Sequence, residues 1–292
     1  MEFLKIIFPN SGVQTYLFIP PLVSFGLAFF GVMGGVTGAF LLLPFQFSVL
    51  HYTSPGVSAT NLLYNLFTIP PALIRYRREG RFLVPLTVVM ILGTTPGMFL
   101  GYLLRLKIFQ DPARFKLLIG LVLLCLAIHT LKNLLTGSRS VHTSSKILLL
   151  RSSPQKLIFS FGEKTYEIPV IFTWGVSFLV GIIGGAYGIG GGVILAPFLI
   201  SVLRLPVHAV AGSTLATTFL ASIFGLLVYG FGPGSGPDTR PDLLLGSLFG
   251  LGGIIGAYLG ARFQKRIPER PIKWGLFGTL LFIALKYLFE AF

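Results

Sequence analysis

Acidic residues are scarce in this chain, and so is cysteine. Nine Asp and Glu stand among 292 residues, against 23 Lys and Arg. All nine (Glu2, Glu79, Asp111, Glu163, Glu167, Asp238, Asp242, Glu269 and Glu290) fall in connections or near the termini rather than deep in an apolar run. That placement argues against a proton relay of intramembrane acids. It argues equally against an intramembrane aspartyl or zinc hydrolase, which needs such bases or ligands. One cysteine, Cys125, excludes an internal disulfide and any multi-cysteine zinc or iron–sulfur site. Set in Leu-Val-Leu-Leu-Cys-Leu-Ala, it reads as a small buried thiol. Of the histidines, His129 alone lies inside an apolar run, where core packing or an interface position outweighs catalysis. No cofactor or metal is expected.

Charge of either sign is also thin: charged residues make up 11% and hydrophobic ones 53%, far from the quarter-charged average of soluble domains. Apolar stretches recur at Tyr16–Leu50, Val57–Ile74, Phe82–Leu104, Phe115–Leu135, Val170–Leu203, Val207–Phe231, Leu243–Ala261 and Ile272–Leu288. Each is near or above the roughly 20 residues that cross a bilayer. The fold class expected is therefore an all-α polytopic membrane protein, with the lipid bilayer as its partner. The first stretch lacks the short apolar core and small-residue cleavage site of a secretory signal and reads as mature structure. A net charge of +14 suggests nucleic acid in a soluble chain, but here the basic residues gather in connections such as Arg75–Arg81 and Arg262–Arg266. Cytoplasmic loops of membrane proteins collect positive charge in this way, so no nucleic acid partner is expected.

The chain repeats itself. Slid on itself, it pairs Gly35, Gly38, Pro44, Phe45, Thr60 and Leu62 with Gly188, Gly191, Pro197, Phe198, Ser213 and Leu215. A second block, displaced by the turn-rich loop Phe231–Asp238, pairs Gly93, Gly97, Leu100, Gly101, Pro112 and Arg114 with Gly252, Gly256, Leu259, Gly260, Pro271 and Lys273. The units expected are a first membrane repeat at 16–135, a cytoplasmic linker at 136–169 and a second membrane repeat at 170–292. Within the linker, Lys156–Ile168 alternates around Gly162 like a small surface hairpin.

Charge arbitrates between parallel and inverted copies. If the first stretch of each unit crosses once, the copies are parallel and the basic residues divide almost evenly across the membrane. If it enters, breaks at its glycines and returns, three full crossings follow, the copies are inverted, and the basic residues gather on the cytoplasmic side, as the positive-inside rule requires. At about 1.5 Å per residue, Val170–Leu203 would form a helix of roughly 50 Å, too long for one span of about 30 Å but enough for two shorter arms. Tyr16–Leu50 and Val170–Leu203 are accordingly expected to be glycine-broken, re-entrant-like hairpins, each followed by three transmembrane helices.

Gly184-Gly-Ala-Tyr-Gly-Ile-Gly-Gly-Gly192 places six glycines in nine residues of an apolar segment, each interior one costing a helix up to about 1 kcal/mol relative to alanine. Close helix packing through small faces is one reason for glycine in membranes, and Gly252–Gly256 and Gly93–Gly101 fit it. The denser cluster, followed by Pro197, suits an unwound break whose freed amides must find a partner. Gly31–Gly38 with Pro44 is its weaker first copy. After each break come small polar groups, Ser58, Thr60, Asn61 and Asn65 in one copy and Ser213, Thr214, Thr217 and Thr218 in the other. Taken singly they read as caps or hydroxyls bonded to the preceding turn. Taken together, inverted copies would bring both breaks and both polar sets to mid-membrane, where half-helix amino ends and hydroxyls suit an anion without a buried cation.

Gly188-Ile-Gly-Gly-Gly-Val-Ile-Leu-Ala-Pro197, with Ala211-Gly-Ser-Thr-Leu215 beyond it and a weaker copy upstream, resembles the TauE/SafE family of sulfite and organosulfonate transporters. The resemblance runs from about residue 20 to 288. It implies a secondary carrier of small sulfur-containing anions, such as sulfite or sulfoacetate, in the bacterial inner membrane, and it leaves room for a homodimer. The candidate anion ligands are Gly35, Thr37, Gly38, Thr60, Asn61, Asn65, Gly188, Gly190, Gly191, Ser213, Thr214 and Thr217. The first motif departs from the family pattern, with Thr37 and Ala39 where glycines are usual. A channel also uses re-entrant loops and polar rings, and an intramembrane enzyme would show an acid–histidine constellation within a span, which is not found in the sequence.

Overall fold

A computed structural model describes residues 5–33, 38–80, 82–136, 147–263 and 269–291. Candidate ligands Gly35 and Thr37, and most of the linker's polar start, lie outside them. The eight apolar stretches become ten helices: α1 Ile19–Met33, α2 Ala39–Ser48, α3 Gly56–Arg78, α4 Val84–Lys107, α5 Pro112–Thr136, α6 Val170–Tyr187, α7 Gly192–Ser201, α8 Val207–Phe231, α9 Leu243–Phe263 and α10 Glu269–Glu290. The fifth stretch divides at Gly188–Gly191 into α6 and α7, and the first holds α1 and α2 on either side of residues outside the described ones. Among the described residues, six helices are long and apolar enough to cross a membrane, α4, α5, α6, α8, α9 and α10. Their outer faces carry Trp174, Leu227, Tyr258, Trp274, Phe282 and Phe289 in the open, more exposed apolar surface than water tolerates.

Two small sheets precede the bundles. Strands β1 (Lys5–Ile7) and β2 (Gln14–Tyr16) form an antiparallel hairpin ahead of α1. Its turn lays the Asn10 and Ser11 amides and the Ser11 hydroxyl on Asp242 Oδ2, while Oδ1 accepts from Leu245 N and caps α9. The hairpin expected at Lys156–Ile168 is present as β4 (Lys156–Phe161) and β5 (Lys164–Pro169), turning at Gly162 with φ +65°. The sequence reading missed a third strand, β3 (Ile147–Ser152), antiparallel to β4. Its pattern is continuous rather than alternating, so it lacks the periodic signal that identified the other two.

The most extensive helix packings follow the sequence duplication. Helix α4 packs along α6, and α9 along α1. A Cβ on Gly93, Gly97 or Gly101 would meet the carbonyl oxygens of Trp174, Phe178 and Ile182. One on Gly252, Gly256 or Gly260 would meet those of Pro21, Phe25 and Phe29. Small residues one turn apart let backbones touch, which is how helices associate where lipid removes the hydrophobic drive. Helices α3 and α8 pack on each other, as do α5 and α10, and α3 meets α9 as α8 meets α4. Both broken elements also close alike, with His51 and Arg204 in left-handed backbone at φ 53° and 52°. Gly97→Leu and Gly256→Leu are expected to lower stability by comparable amounts, about 1–3 kcal/mol or more of overpacking each. Thermal unfolding of the two purified variants checks it, and a large effect in only one of them would refute the equivalence.

One expectation from the sequence is corrected. Cys125 is exposed rather than buried, lining an apolar crevice of 430 Å³ with His129, Pro197 and Phe198. An apolar run identifies a membrane helix but not which face meets protein, because lipid is as apolar as a protein interior.

Candidate functional site

The second break is described throughout. Helix α6 ends at Tyr187, Gly188 takes the left-handed conformation at φ +85°, and Gly190 and Gly191 follow at +71° and +86° before α7 begins. Gly188 N donates to Gly184 O at 2.8 Å, closing α6, and the amides of Ile194 and Leu195 fold onto Gly191 O at 3.0 Å each. The first copy opens in the same way, with Leu41 and Leu42 donating to Gly38 O.

The polar face of α3 meets that break. Ser58, Asn61 and Asn65 recur at helical spacing on one side of α3, and all three are fully buried. Ser58 Oγ donates to Ala186 O at 2.9 Å. Asn61 Nδ2 donates to Gly188 O at 2.9 Å and to Ala39 O at 3.0 Å. Asn65 Nδ2 reaches Ile189 O at 3.4 Å and Ser222 Oγ at 3.2 Å. One amide nitrogen thus touches the broken element of both halves, and Tyr187 OH adds a bond to Phe40 O at 2.8 Å. The unwound carbonyls are satisfied by side chains from the opposite half, as lipid requires.

The other candidate ligands divide. Gly38, Gly188, Gly190, Gly191, Asn61 and Asn65 converge. Thr60 points to a different neighbourhood, accepting from Asp242 N at 2.9 Å and lying 3.4 Å from Tyr52 OH. Burial pushes that tyrosine up to about 12, despite its bond to Thr60, so it stays a neutral hydroxyl at physiological pH. Ser213 Oγ brackets the entry to α4, donating to Leu83 O and accepting from Leu83 N. Thr214, Thr217 and Thr218 donate to carbonyls one turn back in α8. Thr218 and Thr214 nonetheless line the break, since a Cβ on Gly190 or Gly192 would run into them.

Gln46, Thr94 and Ser222 are three participants not among the candidates expected from the sequence. Buried polar atoms without a partner among the described residues are Gln46 Oε1, Asn65 Oδ1, Thr94 Oγ1 and Arg105 Nε. The first three surround the break: Gln46 Nε2 lies 3.5 Å from Asn61 Oδ1, and Thr94 Cγ2 would lie 3.5 Å from a Cβ on Gly191. Thr94 stands out because other hydroxyls on these helices, those of Thr87, Thr95, Thr130, Thr173, Ser177 and Thr279, donate to the preceding turn. Ser222 was legible, one and two turns beyond Thr218 and Thr214 on the same face of α8. Gln46 and Thr94 carried no such periodic signal. The Thr94 hydroxyl can turn about its bond and present its O–H to a guest's oxygens. The free oxygens of Gln46 and Asn65 are acceptors on amides whose nitrogens are held by Asn61 Oδ1 and by Ile189 O and Ser222 Oγ.

Helices long and apolar enough to span a bilayer, with an unwound break at Gly188–Gly191 lined by buried polar side chains, fit a multi-pass membrane transporter. The family model described as Sulfite exporter TauE/SafE matches residues 21–287, and the chain belongs to that family. It is 27% identical over 275 residues to a probable membrane transporter protein of Xylella fastidiosa strain Temecula1, covering 91% of each chain. To the probable membrane transporter protein YunE of Bacillus subtilis it is 21% identical over 232 residues, covering 79% of this chain and 80% of that one. No solved structure matches.

Proposed function

We propose that this chain carries small sulfur-containing anions, sulfite or an organosulfonate such as sulfoacetate, across the inner membrane as a secondary transporter. The anion sits where the two glycine-broken elements meet, and access alternates as one inverted repeat rocks against the other. The observation that carries this reading is the Asn61 amide bonded to both Ala39 O and Gly188 O, beside a Thr94 hydroxyl that has no partner among the described residues. A sulfonate offers three oxygens and a single charge, and neutral donors near a helix amino end suit it. The amides of α7 and α2, opening at Gly191 and Gly38, supply the positive end of the peptide dipole.

Counterflow of labelled sulfite in proteoliposomes tests the carrier. Saturable exchange supports it, and conductance without exchange would replace it with a channel. Thr94→Val keeps the shape and removes a hydroxyl that the fold does not use. Sulfite binding should weaken about five- to tenfold, the worth of one hydrogen bond, while anion-free thermal stability stays unchanged. Thr218→Ala, whose hydroxyl stands against Gly192, should also lower affinity. If both variants bind sulfite as the parent does, these hydroxyls are not in the site.

A further inference from the structure

Arg105, in the last turn of α4, has no exposed surface. Its Nη2 donates to Thr53 O at 3.1 Å and its Nη1 to Phe109 O, while the guanidinium carbon stacks 3.7 Å over the Phe115 ring. Nε has no partner, and Arg105 makes no ion pair among the described residues. The buried carboxylate of this end, Asp242, is already held by Asn10, Ser11 and Leu245. A permanent cation is thus sealed from water with only main-chain carbonyls and a ring for company.

Burial of a charge without a counter-ion is unfavourable unless something repays it. A clamp between the loop that joins α2 to α3 and the loop that joins α4 to α5 does not need one, since a neutral amide could bridge two carbonyls. A cationic fork suits an oxyanion, which it can grip with two parallel bonds. The position also connects to the converged breaks. Tyr102, one turn before Arg105 on α4, meets Tyr229 edge-on with centroids 4.9 Å apart, and Tyr229 OH donates to Gly185 O at 2.8 Å. Two buried phenols therefore link the helix that carries Arg105 to the start of the glycine cluster.

We propose that Arg105 is an anion-binding residue at this end of the pathway: it exchanges the Thr53 and Phe109 carbonyls for the oxygens of the passing anion. The assignment rests on the transporter reading above and adds to it a cation that the site at the breaks lacks. It also sets specificity for charge, because an uncharged sulfone cannot replace the carbonyls with equal strength.

The test is thermal shift of the purified full-length protein titrated with sulfite and with methanesulfonate. Arg105→Gln should need about ten- to a hundredfold more of either anion for half the stabilisation, the worth of one charged hydrogen bond. Arg105→Lys, which keeps the charge and loses the fork, should fall between the two. If Arg105→Gln does not fold, the lysine variant decides, and unaltered affinity there overturns the proposal. A lower anion-free midpoint with unchanged half-saturation in either variant assigns the residue to a clamp and overturns it as well. Wild-type protein that responds to both anions, with Thr94→Val weakened and the Arg105 variants not, removes Arg105 alone. Wild-type protein that responds to neither removes the cargo class and this assignment together.

Discussion

Gly188→Ala should leave little folded protein, the largest loss expected from a single methyl group in this chain. Gly188 sits at φ +85° and ψ +26°, a left-handed conformation that costs other residues about 1–2 kcal/mol. The added Cβ would lie 2.4 Å from Ser58 O and 2.7 Å from Ser58 Cα. Those are backbone atoms of α3, so no rotamer relieves the clash and the helix must move away, adding about 1–3 kcal/mol of overpacking. Movement also loosens the bonds from Ser58 to Ala186 O and from Asn61 to Gly188 O. Gly175 in α6 supplies the control: nothing stands within 4 Å of its added Cβ, and Gly175→Ala should be neutral or stabilise by up to about 1 kcal/mol. Thermal unfolding and the yield of monodisperse protein measure both. Equal behaviour of the two variants would mean that the break does not pack on α3 as described.

Asn61→Leu should be nearly as damaging, although the side chains are close in volume. The amide donates to carbonyls of both halves and accepts from Gln46. Leucine strands two carbonyls where no water reaches, at about 1–3 kcal/mol each. Thr217→Val is the comparison, since Thr217 Oγ1 bonds only to Ser213 O within its own helix, and its loss should cost about 1 kcal/mol or less. Labelled sulfite exchange should fail in Asn61→Leu preparations even where protein is recovered, because the two broken elements lose their common tie. Full exchange in that variant would show that the Asn61 bridge is dispensable.

Much of the candidate site could be read from residue types and spacing. Asn61 and Asn65 were identified because amides in an apolar helix need partners, and Gly188 to Gly191 because glycine at that density does not favour a continuous helix. Thr60 and Ser213 show the limit of that reasoning. Both are equivalent in the duplication and stay so in the fold: Thr60 accepts from Asp242 N at the start of α9, and Ser213 accepts from Leu83 N at the entry of α4, the matching helix of the other unit. Both hydroxyls therefore serve a helix start rather than the break, because the partner of a short hydroxyl depends on which group of the other unit arrives within hydrogen-bond reach of it.

Sequence by itself determined that the chain lives in a membrane, that its second long apolar element breaks at Gly188–Gly191, and which glycines of α4 and α9 face a neighbour. Those properties follow from bilayer thickness, backbone geometry and hydropathy, all of which are local along the chain. Only the tertiary structure decided that Asn61 bridges the two halves, that the Thr94 hydroxyl is left over, that Cys125 is exposed and that Arg105 is sealed inside. The physical reason is that lipid and protein interior are equally apolar, so an apolar helix does not announce its buried face. A polar atom's fate depends on groups that come from another part of the chain.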